Sequence, residues 1–130
     1  MNIFESKIQA YYDLRPVQFS VLHSLAIYQG MGPDRVFEQR VCIVLDRLND
    51  EKCEQLYLDF DGVRNLRFQQ PDWSEISLNH IEIITVADDS NMKNSFRVRD
   101  TSQDSIISFD CRQFEANVGG TEMGQHKGTT

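Results

Sequence analysis

Two aspartates one residue apart, Asp59 and Asp61, stand where an apolar run meets a glycine in "LYLDFDGVRNLRF", residues 56–68. Carboxylates in such a pair are ionised at neutral pH, ligate hard cations such as magnesium, and form covalent intermediates that water can cleave. A second acidic pair, Asp88 and Asp89, closes the apolar segment "IITVADDS". The other chemistry-bearing residues do not assemble by spacing. Cys42, Cys53 and Cys111 are widely separated and form no close pair with His23, His80 or His126, as a zinc site would require. Cys42 and Cys111 lie in apolar stretches, which suits reduced core thiols. No serine, histidine and aspartate set and no phosphate-cradling glycine loop is present.

The D-x-D-G letters resemble the nucleophile loop of haloacid-dehalogenase-type phosphatases. That resemblance implies Asp59 as nucleophile, Asp61 as general acid and base, and magnesium held by both, with Asp88 from the second acidic pair. The companions of the motif are missing. Such enzymes have a parallel sheet, whose strands need crossovers of a dozen or more residues, usually helical. The stretch "GVRNLRFQQPDWSEISLNH" shows no helical stripe and contains a proline. Two strand-like segments precede the motif, and between Gly62 and Ala87 the only cations are Arg64 and Arg67, with no lysine. A turn explains the same letters. Centring a three-residue connection on 61–63 sets Leu58 against Leu66 and Leu56 against Phe68, sorting apolar from polar faces, so a hairpin is predicted there.

The surrounding elements are mostly β. Residues 2–12 place Phe4, Ile8, Tyr11 and Tyr12 on one helical stripe, which Pro16 closes. "FSVLHSLAIY" puts Phe19, Val21, His23, Leu25 and Ile27 on one face of a strand, with a short helix as the competing assignment. His23 is then a hydrogen-bonded core residue. "VFEQRVCIVLD" reads as an inner strand through Phe37, Val41, Ile43 and Leu45. "EISLNHIEIITVA" is a strand whose alternation slips near His80, and His80 and Glu82 form a same-face pair. "SFRVRD" turns Phe96 and Val98 in and Arg97 and Arg99 out, and "DSIISFDCRQF" is the last strand. The expected fold is α+β, an N-terminal helix packed on a mainly antiparallel, curled β-sheet or small sandwich. One globular domain covers 1–118, and 119–130 form a disordered tail with little to bury.

The chain has 130 residues and a formal net charge of -7. Its pI is about 4.8. That balance disfavours nucleic acid and anionic membranes and favours a basic protein as partner. No apolar run is long enough to span a bilayer and no basic-then-apolar leader opens the sequence, so a cytoplasmic protein is expected. Trp73, in the loop "QQPDWSE", either covers the end of the sheet or anchors a partner; Asp88 and Asp89 join it as candidate partner-facing residues. An edge strand offers a second copy a place to pair.

The order of a short helical start, then "LHSLAIY", "RVCIVLDRL", "LYLDFDGVRNLRF" and finally "IISFDC" resembles small bacterial immunity proteins and neighbouring β-rich families. In these an apolar strand runs into F-x-G-V-x-x-L, here Phe60 through Leu66. The resemblance covers residues 1 to 114 and implies a cytoplasmic, non-enzymatic protein that binds and neutralises a toxin. It implies no catalytic residue and no cofactor.

Overall fold

The computed structural model describes residues 3–31, 37–48, 52–69, 80–88, 93–101 and 106–122. Helix α1 (Ile3–Asp13) is followed by a 3-10 turn at Pro16–Gln18. Proline suits the first position of that turn, because its missing N–H would have no partner there. The strands are β1 (Val21–Met31), β2 (Phe37–Leu48), β3 (Lys52–Phe68), β4 (Ile81–Asp88), β5 (Lys93–Asp100), β6 (Ile107–Cys111) and β7 (Gln113–Glu122). They form one seven-stranded sheet in the order β1-β2-β3-β6-β5-β4, with β7 also on β3. Every pairing among the described residues is antiparallel. The molecule is thus α+β with an open, curled antiparallel sheet, and among the described residues no helix is long and apolar enough to cross a membrane.

Strand β3 is the spine. Its first half lies between β2 and β7, and its second half continues beside β6. The hairpin predicted at 61–63 is not formed: Leu58 faces Ile43 and Ala116, not Leu66. The Asp-Gly signal instead marks a bulge. The four residues from Phe60 to Val63 oppose the three from Gln39 to Val41, and Gly62 supplies a φ of 62°. A second irregularity follows opposite β6 between Arg64 and Arg67, where Asn65 has a φ of 56°. Long-range pairing overrides the local turn because the straight path sets Leu56, Leu58 and Phe60 between Leu45, Ile43 and Val41 on one side and Val118, Ala116 and Phe114 on the other. A fold-back would forfeit both rows.

Other boundaries also differ from the sequence-based expectation. The last predicted strand is two, broken at Arg112, whose N–H bonds the Asp61 carbonyl at 3.0 Å. Strand β7 runs on to Glu122, so residues 119–122 pair with β3 beyond the predicted boundary at 118. Strand β1 begins at Val21, and its register shifts between Leu22 and Ser24, leaving His23 as the extra residue. His23 is therefore exposed, not a core residue, and it meets Asp46 at 3.0 Å. Phe37, expected on the buried face, is 66% exposed. His80 contacts Thr101, while Glu82 is taken by Arg99 at 2.8 Å.

Alternation holds elsewhere. Val41, Ile43, Leu45, Leu56, Leu58, Phe60, Ile81, Ile83, Phe96, Val98, Phe109 and Phe114 turn inward and are buried. The curl brings Phe96 of β5 edge-on to Phe114 of β7 at 4.9 Å, and Phe60 edge-on to Phe109 at 4.8 Å, the geometry that aromatic quadrupoles favour. Helix α1 closes the open side of the curl. Its Tyr11 hydroxyl donates to the Ile81 carbonyl at 2.6 Å, its Tyr12 hydroxyl meets the backbone of Ile83, and Lys7 donates to the Phe114 carbonyl. Burial pushes the Tyr11 hydroxyl well above its ordinary range, so it remains a donor.

Candidate partner-binding face

The alternation that buries Leu56, Leu58 and Phe60 turns Gln55, Tyr57, Asp59 and Asp61 to the outer face of β3. Pairing extends each into a row. Cys42, Asp59 and Glu115 lie side by side across β2, β3 and β7, and Val44, Tyr57 and Asn117 form the next row. Asp59 and Glu115 are exposed and directly opposite, an arrangement of like charges that works against the sheet. Neither has an ion-pair partner among the described residues.

The nearby cations are engaged elsewhere. Arg40 contacts Asp61 at 2.5 Å, and this hydrogen bond holds the guanidinium firmly charged. Arg112 clasps both Glu38 oxygens at 2.9 Å. Burial, followed by the Asp59 charge, pushes the half-buried Cys42 thiol up and away from reactivity. The Cys111 thiol is pushed up to about 12, mainly by its burial.

At the other end of the face a hydrogen-bonded chain crosses three strands. Asp46 contacts His23 Nδ1 at 3.0 Å and accepts from Gln55 Nε2 at 2.9 Å, and Gln55 Oε1 accepts from the Tyr57 hydroxyl at 2.5 Å. The Tyr57 ring lies over Gly119, where a Cβ would come within 3.1 Å of Cε2. A 42% exposed aromatic is thus held in one orientation beside two unpaired carboxylates.

The described acidic residues singled out from the sequence lie on different strands. Asp59 and Asp61 share the outer face of β3, but Asp88 ends β4, and β6 and β5 intervene. Among the described residues strand β3 has no parallel neighbour, and segment 56–60 lies between β2 and β7 rather than beside 81–86, the arrangement phosphatase chemistry requires. Among the described residues no group of three His, Cys, Asp or Glu side chains converges as metal ligands would. Trp73 and Asp89 lie outside the described residues, as do the side chains of Asp88 and Cys53. Sequence reasoning missed Tyr57, Glu115 and the His23–Asp46–Gln55 chain. The signal was the exposed tyrosine between two inward leucines, Leu56 and Leu58.

These elements define an α+β protein with a polar outer face on β2, β3 and β7. The family model described as Immunity protein PIM8 matches residues 3–117, and the chain belongs to that family. No curated protein and no solved structure matches it.

Proposed function

We propose that this chain is a non-enzymatic immunity protein that binds and neutralises a basic toxin in the cytoplasm through the outer face of β2, β3 and β7. Membership of the immunity-protein family carries the proposal. The face supplies its chemistry. Tyr57 is an oriented, exposed aromatic of the kind that dominates binding energy, while Asp59 and Glu115 provide unpaired negative charge toward a cationic surface. An unfavourable like-charge row is relieved when a cation settles across it.

The test is growth of cells expressing the product of the adjacent gene, with and without this chain. Wild type is expected to relieve growth arrest, and Tyr57→Ala combined with Asp59→Lys to lose that protection while remaining folded by circular dichroism. Arrest that wild type does not relieve contradicts the proposal, and full protection by the double variant contradicts the assigned face. Trp73, Asp88 and Asp89 remain candidates for a separate contact, and alanine variants in the same assay examine them.

A further inference from the structure

Among the described residues β1, β4 and β7 each pair with a strand on one side only, and α1 attends to the last two. On β4 the Tyr12 hydroxyl accepts from Ile83 N at 3.1 Å and meets Ile83 O at 3.3 Å, and Tyr11 takes the Ile81 carbonyl. On β7 Lys7 takes the Phe114 carbonyl. Among the described residues strand β1 pairs only with β2, and no side chain bonds its backbone on the open side.

Its sequence, "VLHSLAIYQGM", is 11 residues long and contains no Lys, Arg, Asp, Glu or Pro. Charges and prolines are the usual means of keeping an edge strand from pairing. Strands β4 and β7, by contrast, carry Glu82, Asp88, Glu115 and Glu122. The bulge at His23 interrupts only the start of β1; residues 24–31 run beside β2 in unbroken register. On the inner face Ile27 and Met31 project past the core, 42% and 55% exposed.

Overall charge selects the occupant. At -7 per chain, two copies repel over most of their surfaces, and an uncharged edge is where they approach without that penalty. A cationic partner gains nothing electrostatic there. We propose that β1 pairs antiparallel with β1 of a second copy about a two-fold axis. Residues 24–31 join the two sheets, and Ile27 and Met31 lie beside same-face side chains of the other copy. Such a contact is isologous and closes at two, and it leaves the outer face of β3 open. It stands whether or not the toxin-binding proposal does.

Sedimentation equilibrium of the full chain tests it, with Ala26→Lys and Gln29→Lys as separate variants at exposed positions. Wild type is expected to approach twice the 15.1 kDa chain mass as concentration rises, and both variants to stay at the chain mass with unchanged circular dichroism. Amide exchange gives a second reading: open-side amides of 24–31 should be protected in wild type and exchange rapidly in the variants. Wild type that stays monomeric overturns the proposal. A dimer that both lysines leave intact, with unchanged exchange, overturns it equally.

Discussion

Asp110 shows how one side chain on this sheet is tied to several strands. It accepts from Arg97 Nε at 2.9 Å and from Asn65 Nδ2 at 3.2 Å, linking β6 to β5 and to the second bulge of β3. Burial alone would raise its carboxyl, yet hydrogen bonds from Arg97 and Asn65, with the charges of Arg97 and Arg64, outweigh that and hold it below the ordinary carboxylate range. A carboxyl depressed in the folded state adds stability that is complete above its unfolded value near 3.8 and is lost as pH falls through the folded one. Urea unfolding from neutrality into acid should therefore show wild type losing stability more steeply than Asp110→Asn, the gap between them narrowing in the acid limb. Parallel curves would refute the linkage. At this scale the sequence was legible where alternation is regular: Phe96 and Val98 are inward, Arg97 and Arg99 outward. It misled at His23, because an extra residue in β1 breaks the alternation there and no local letter announces it. Tyr57 and Glu115 were missed because their row is made by pairing between strands far apart in sequence.

Strand β3 depends on Gly62 as an element. With φ at 62°, the position favours glycine, and an added Cβ would lie 2.9 Å from Cβ of Arg112. Gly62→Ala should cost about 1–2 kcal/mol from the left-handed conformation alone, and crowding against Arg112 adds to it. A lowered urea midpoint is the expected result; an unchanged midpoint would mean that the bulge relaxes freely. The same glycine accounts for the error in predicting a hairpin. Asp-Gly states that the chain needs a positive φ, but it does not distinguish a turn from a bulge, and the choice falls to β2 and β7, whose apolar rows match Leu56, Leu58 and Phe60 on both sides. Helix α1 and strands β2 and β5 were legible because each shows its own period. The separation of β6 from β7 was not, since Arg112 turns the chain by pairing with Asp61 and Glu38 rather than through Gly or Pro.

For the molecule as a whole, composition gave the acidic balance and periodicity the α+β class, and the family match over residues 3–117 agrees with the resemblance carried by Phe60, Gly62, Val63 and Leu66. Strand order was beyond the sequence. Nothing in the local pattern says that β3 serves two halves of one sheet, or that α1 bonds the backbones of both β4 and β7. That topology sets two strands between Asp88 and Asp59 and places Asp59 opposite Glu115 on the outer face. The most direct test of the central claim is calorimetric titration of the purified chain with the product of the adjacent gene at low and high salt. A one-site complex that weakens as salt rises, and that loses about 30-fold in affinity with Tyr57→Ala, as expected of a hot-spot residue worth about 2 kcal/mol, is the predicted result. No heat of binding at either salt concentration, or an affinity indifferent to both salt and Tyr57, would contradict it.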